Sequence, residues 1–239
     1  MPGYFSATRH PWASALFLLP LLLAYEIGVL ALGGSHPDSL RNGADVWLRD
    51  RLADYGIAFA WAAPILLAVF LILLSLWNRS DRPREPITTV FGMTVESVLF
   101  ATALWAFSRN FHALLAQTGI PFASVQFHRV AEAQVVNFIG AGIYEEVLFR
   151  LGLFGLLLYV LRMMLMPKLA AVVIAALASA LFFSAAHHLG SAGEPMETTK
   201  FLFRTVAGLL FTAIYLTRGL GIAAGAHAGY NILVGVSVG

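Results

Sequence analysis

The sequence predicts an all-α, polytopic transmembrane bundle of about seven spanning helices, six to eight being the range its length allows. Three observations carry this. Of 239 residues, 59% are hydrophobic and only 12% are charged, where a soluble domain has roughly 25% charged residues. Mean hydropathy is +0.78. The apolar residues fall in runs close to the roughly 20 needed to cross a hydrocarbon core about 30 Å thick, with polar turns between them.

The first helix is expected over Trp12–Leu32, ending at Gly33-Gly34. Its ~21 apolar residues exceed the 7 to 15 of a signal-peptide core, so it reads as a retained span. A polar segment, Ser35–Tyr55, follows. The second helix, Gly56–Trp77, is an uncharged run that stops at the polar turn Asn78–Pro86, and the third covers Ile87–Phe107. Ser108–Gln134 mixes apolar and polar residues around Gly119-Ile120-Pro121 and reads as interfacial or partly re-entrant. The fourth helix runs from Val135 to about Met164, with Pro167 marking its end. The fifth covers Leu169–His188, the sixth Phe201–Thr217 and the seventh Leu220–Val238, with a Gly/Ser/Thr-rich loop at Leu189–Thr199.

Net charge is only +2, and the basic residues are scattered through loops, which argues against nucleic acid as a partner. On the seven-helix topology Lys and Arg divide evenly between the two sides, so the positive-inside rule gives no orientation. Cysteine is absent, which excludes disulfides, thiolate metal sites and a cysteine nucleophile. The lipid bilayer is the expected surroundings.

An ionisable residue near the bilayer centre costs about 2.5–3.5 kcal/mol on insertion scales and is a functional candidate by default. Glu145, Glu146 and Arg150 lie in the fourth helix, His187 and His188 end the fifth, and His227 and Asn231 lie in the seventh. Residues four apart share a helix face, whereas neighbours diverge by about 100°. Glu146 therefore stacks with Arg150, leaving Glu145 without a partner on its own helix, and His227 and Asn231 point the same way. Counting about 1.5 Å per residue brings Glu145, His187, His227 and Asn231 into the half of the bilayer opposite the N-terminus. Small residues flank them, including Gly140, Ala141 and Gly142, and Ala223–Ala226; such positions let helices approach closely and leave room for a polar cavity.

Glu145-Glu146-Val147-Leu148-Phe149-Arg150 reads EExxxR, Phe183–His187 reads FxxxH, and His227–Asn231 reads HxxxN. In this order on separate helices, the three motifs resemble the CPBP family, also called ABI, of intramembrane proteases, which includes the CAAX prenyl endopeptidases. The resemblance covers Val135–Val238. It departs from the family pattern after Arg150, where Leu151 precedes Gly152 instead of glycine following directly. It divides the chain into N-terminal helices with the interfacial segment, 1–134, and a catalytic core, 135–239.

The resemblance implies Glu145 as the base that activates water with help from His187, and His227 with Asn231 as stabilisers of the oxyanion. Glu146 and Arg150 are then supporting residues. The implied partner is a peptide or protein substrate at the membrane, in a multi-pass protein of the cell membrane that needs no cofactor. Two histidines and a glutamate also match a zinc peptidase ligand set, although the HExxH spacing is missing. A proton-coupled transporter is the rival from another class, opposed by the absence of inverted repeats; a catalytically idle scaffold is a third reading.

Glu26 and Glu96 read as protonated glutamates bonded to neighbouring backbone and stay outside the site. His188 reads as a solvated interfacial residue rotated away from His187. His10, His36, His112 and His128 read as surface residues, and Phe183 as packing beside the site.

Overall fold

The computed structural model describes residues 3–78, 85–117, 133–189 and 193–236, and these build a helical bundle without strands. A short α1 (Tyr4–Thr8) leads into α2 (Pro11–Leu32), which starts with proline at its first position and the His10 ring accepting from the Trp12 N–H. A 3₁₀ turn, Pro37–Leu40, and α3 (Gly43–Asp54) follow, then α4 (Ala62–Trp77) and α5 (Pro86–Ala116). The next helix, Gln134–Met163, is α-wound at its ends, α6 (Gln134–Gly140) and α7 (Gly155–Met163). Between them it is π-wound, over Ala141–Glu145 and Val147–Phe154. The bundle closes with α8 (Lys168–Ala186), α9 (Thr198–Arg218) and α10 (Leu220–Val236).

Four helices, α2, α5, α8 and α9, are long and apolar enough to cross a membrane, while α4 and α10 are shorter apolar helices of 16 and 17 residues. The protein is an integral membrane protein of the all-α class that the sequence predicts. The expected second helix was too long at its start: Gly56, at φ +81°, turns the chain out of α3, and helix resumes only at Ala62. The polar segment holds the helix α3, whose inward side sets the buried, charged Asp45 beside Ala44, Leu48 and Leu52 packed against the core. The third helix continues to Ala116, since no proline or glycine lies between Phe107 and Gly119. The remainder of the expected interfacial stretch, 118–132, lies outside the described residues, as does His128.

The core forms around α10, which packs against α2, α5, α6, α9 and the π-wound helix. A helix surrounded in this way must be apolar all round, and Leu220, Ile222, Ala223, Ala224, Ala226 and Ala228 are all buried. Its polar side chains therefore face other helices instead of lipid.

Three expectations about isolated polar residues are corrected. Glu26 receives Arg41 at 3.2 Å and Arg49 at 3.1 Å, and both arginines also hold Asp45, at 2.9 and 2.7 Å. Glu96 forms a two-pronged ion pair with Arg218, at 2.6 and 2.7 Å. His10 is buried as the cap of α2. For the two glutamates the partner sits on another segment, beyond the reach of helix periodicity.

Candidate active site

Glu145 ends the first π stretch, and Glu146 stands between it and the second, where the helix changes winding. π turns take more residues per turn than α turns and occur mostly as local insertions at functional sites. This segment lies hard against α10. A Cβ at Gly142 would meet the Ala224 carbonyl oxygen at 2.5 Å and the Ala228 N at 2.9 Å, so only glycine permits the approach. That closeness brings the two glutamates to His227.

The Glu145 carboxylate has two different oxygens. Oε1 accepts from the Asn42 side-chain amide at 2.9 Å. Oε2 is buried without a hydrogen-bond partner and lies 3.7 Å from His187 Nε2 and 3.8 Å from His227 Nε2. Those separations are too long for direct hydrogen bonds.

The other nitrogen of each ring is already engaged. His187, which caps the C-terminus of α8, holds its Nδ1 2.8 Å from the Phe183 carbonyl, so Nδ1 carries the proton. His227 Nδ1 lies 2.8 Å from Glu146 Oε1, whose carboxylate also pairs with Arg150 at 3.0 Å. A carboxylate beside a guanidinium accepts, so the His227 proton also sits on Nδ1. Both rings thus turn Nε2 towards Glu145 Oε2.

Arg150 is 1% exposed and Glu146 fully buried. The guanidinium lies over the Phe183 and Phe211 rings, its carbon 4.5 and 5.4 Å from their centroids, and donates to the Gly208 carbonyl at 3.3 Å. Phe211 stacks on His227 at 4.6 Å, and Phe183 meets both imidazoles edge-on. The FxxxH phenylalanine therefore does more than pack beside the site: its ring covers Arg150 and its carbonyl sets the His187 tautomer.

A cavity of about 540 Å³ opens beside these groups, and Glu145, His187, His227 and Asn231 all line it. Asn231 lies one turn beyond His227 on the same face of α10. The six residues singled out from sequence thus fall into one site: four on the cavity wall, with Glu146 and Arg150 behind His227. His188 is turned away as expected, but its Nδ1 is bonded to the Glu194 carbonyl at 3.0 Å. Among the described residues no group of three His, Asp or Glu side chains is arranged to hold a metal ion.

Asn42 is the residue that sequence reasoning missed. It precedes α3, 103 positions from Glu145, in a segment that matches no motif. The signal available was an asparagine directly before a helix start, which indicates a cap and says nothing of a distant carboxylate.

Known proteins bear on this geometry. Residues 127–233 match the family described as type II CAAX prenyl endopeptidase Rce1-like. Ninety-six residues are 34% identical to proteins named uncharacterized membrane protein YhhN, from two Escherichia coli strains and from Shigella flexneri. The alignment takes in 39% of this chain and 41% of each relative. No solved structure matches.

Proposed function

We propose, from the premise that residues 127–233 belong to the type II CAAX prenyl endopeptidase family, that this membrane protein is a glutamate-dependent intramembrane endopeptidase. Its substrates are membrane-associated or C-terminally anchored, lipidated peptides. The observation that carries the reading is the unpartnered Glu145 Oε2 facing two imidazole Nε2 atoms at 3.7 and 3.8 Å inside a cavity. One water donating to Glu145 Oε2 and to His187 Nε2 fits this gap.

The water gives a proton to Glu145 as its oxygen bonds to the scissile carbonyl carbon, with His187 Nε2 fixing its orientation. Charge develops on the former carbonyl oxygen, which receives the Asn231 amide N–H and, when the ring is protonated, His227 Nε2–H. Glu146 supports the imidazolium from behind, as a carboxylate does in a catalytic triad. The proton held by Glu145 then passes to the amide nitrogen, and the C–N bond breaks. Residues 135–239 supply the reacting groups, and 1–134 support them in the cell membrane.

A second reading draws on the same anchoring of both Nδ1 atoms, because metal-binding histidines also commonly donate their second N–H to a carboxylate or carbonyl. Cleavage of a farnesylated peptide and its unprenylated twin by purified protein in nanodiscs separates the readings. Glu145→Ala is expected to cost at least 100-fold and Asn231→Ala about 100- to 1,000-fold, with chelators without effect. Full activity in Glu145→Ala discards the assignment. Loss under chelation, restored by zinc, favours the metal reading.

A further inference from the structure

We propose that Asn42 is a positioning residue for Glu145, delivered from the N-terminal half of the chain by a buried charge cluster. The inference rests on Glu145 as the base. Asn42 Oδ1 accepts the Ala44 N–H at 2.8 Å, capping α3. Only its NH₂ can therefore face Glu145, so the 2.9 Å contact is a donation to Oε1. With Oε1 so held, the carboxylate cannot rotate, and Oε2 stays aimed between the two imidazoles.

Asn42 is itself held on several sides. Its backbone N–H donates to the Tyr25 hydroxyl at 3.0 Å, and that hydroxyl donates to Asp45 at 2.9 Å. Asp45 and Glu26 share Arg41 and Arg49, a neutral buried set of two carboxylates and two guanidinium groups. The Asn137 amide donates to the Arg41 carbonyl at 3.0 Å, and the Tyr144 hydroxyl meets Glu26 at 3.4 Å. The cluster thus grips both Asn42 and the residue preceding Glu145, and it fixes one against the other. Burial lowers the affinity of the Arg41 guanidinium for its proton, but Asp45 and Glu26 more than offset this and raise its pKa, so the clamp stays charged.

Asn42→Ser and Asn42→Asp separate the two roles, because both keep an N-cap acceptor and neither offers an N–H to Glu145. With the farnesylated peptide, kcat is expected to fall about 10- to 100-fold, the scale of a small misplacement at a reacting group, while KM stays within twofold. In the weakened Glu145→Asp background, whose shorter side chain does not reach Asn42, Asn42→Ser should add less than a threefold loss. The thermal midpoint should drop on Asn42→Ser in the wild-type background and not in Glu145→Ala. Wild-type kcat in Asn42→Ser, or equal midpoint drops in both backgrounds, overturns the proposal. Full activity in Glu145→Ala overturns the base assignment instead. If wild type leaves the peptide uncut, the midpoint comparison still decides on the Asn42 contact.

Discussion

Replacing Arg150 with methionine removes one charge from a pair that is almost wholly dry. Glu146 is fully buried and Arg150 1% exposed, 3.0 Å apart, so neither can turn to water when its partner is lost. Breaking such a pair leaves an uncompensated carboxylate and costs about 3–5 kcal/mol. For a chain of this size, each kcal/mol moves the thermal midpoint by about 2–4 °C, so Arg150→Met should lower it by about 10 °C. The contact of the guanidinium with Phe183 and Phe211 is largely kept by the flexible methionine chain, so the loss is electrostatic. Replacing both partners, Glu146→Leu with Arg150→Met, removes the stranded charge and should recover most of the stability. It should not recover activity, because His227 Nδ1 then loses the Glu146 oxygen that lies 2.8 Å away. Midpoints in detergent by tryptophan fluorescence, paired with peptide cleavage, read both quantities. A double variant as unstable as Arg150→Met, or one with wild-type turnover, would refute the reasoning.

Two further outcomes follow from the geometry. Gly142→Ala must push the π-wound helix off the α10 backbone. Overpacking of this kind costs about 1–3 kcal/mol and should lower kcat through the widened Glu145–His227 gap, whereas Gly155→Ala, whose Cβ would meet its nearest neighbour at 3.9 Å, should leave both unchanged; comparing the two in midpoint and kcat checks this. At the cavity rim, burial raises the pKa of Glu194, but the Arg204 hydrogen bond and charge, with Lys200, outweigh it and hold the carboxyl below its ordinary 4.5. Its stabilisation is therefore complete above pH about 4.5 and lost as pH falls through the lower folded value. Amide protection factors at 193–197, corrected for the intrinsic pH dependence of exchange, should fall on acidification in wild type and lose that dependence in Glu194→Gln, and a wild-type turn that tightens in acid would contradict the sign.

Much of the site was legible because its key relations are local. Glu146 with Arg150, Phe183 with His187 and His227 with Asn231 are each four residues apart, and a helical backbone places such pairs on one face wherever the helix goes. The change to π winding over 141–154 was not legible in helix spacing or propensity. Nor were the partners of Glu26 and Glu96, which read as isolated only because Arg41, Arg49 and Arg218 lie on segments with no periodic relation to them. The division at residue 134 hid Asn42 for the same reason.

Composition and spacing alone determined that the chain resides in a membrane as helices, and which polar side chains share a helix face, because hydrocarbon admits few buried charges and a helix has a fixed period. Tertiary packing decided the rest: that the Glu145 oxygens are unequal, that both imidazoles turn the same nitrogen towards one of them, and that an asparagine 103 residues away reaches the other. Those relations depend on distances between separate helices, which no one-dimensional period encodes.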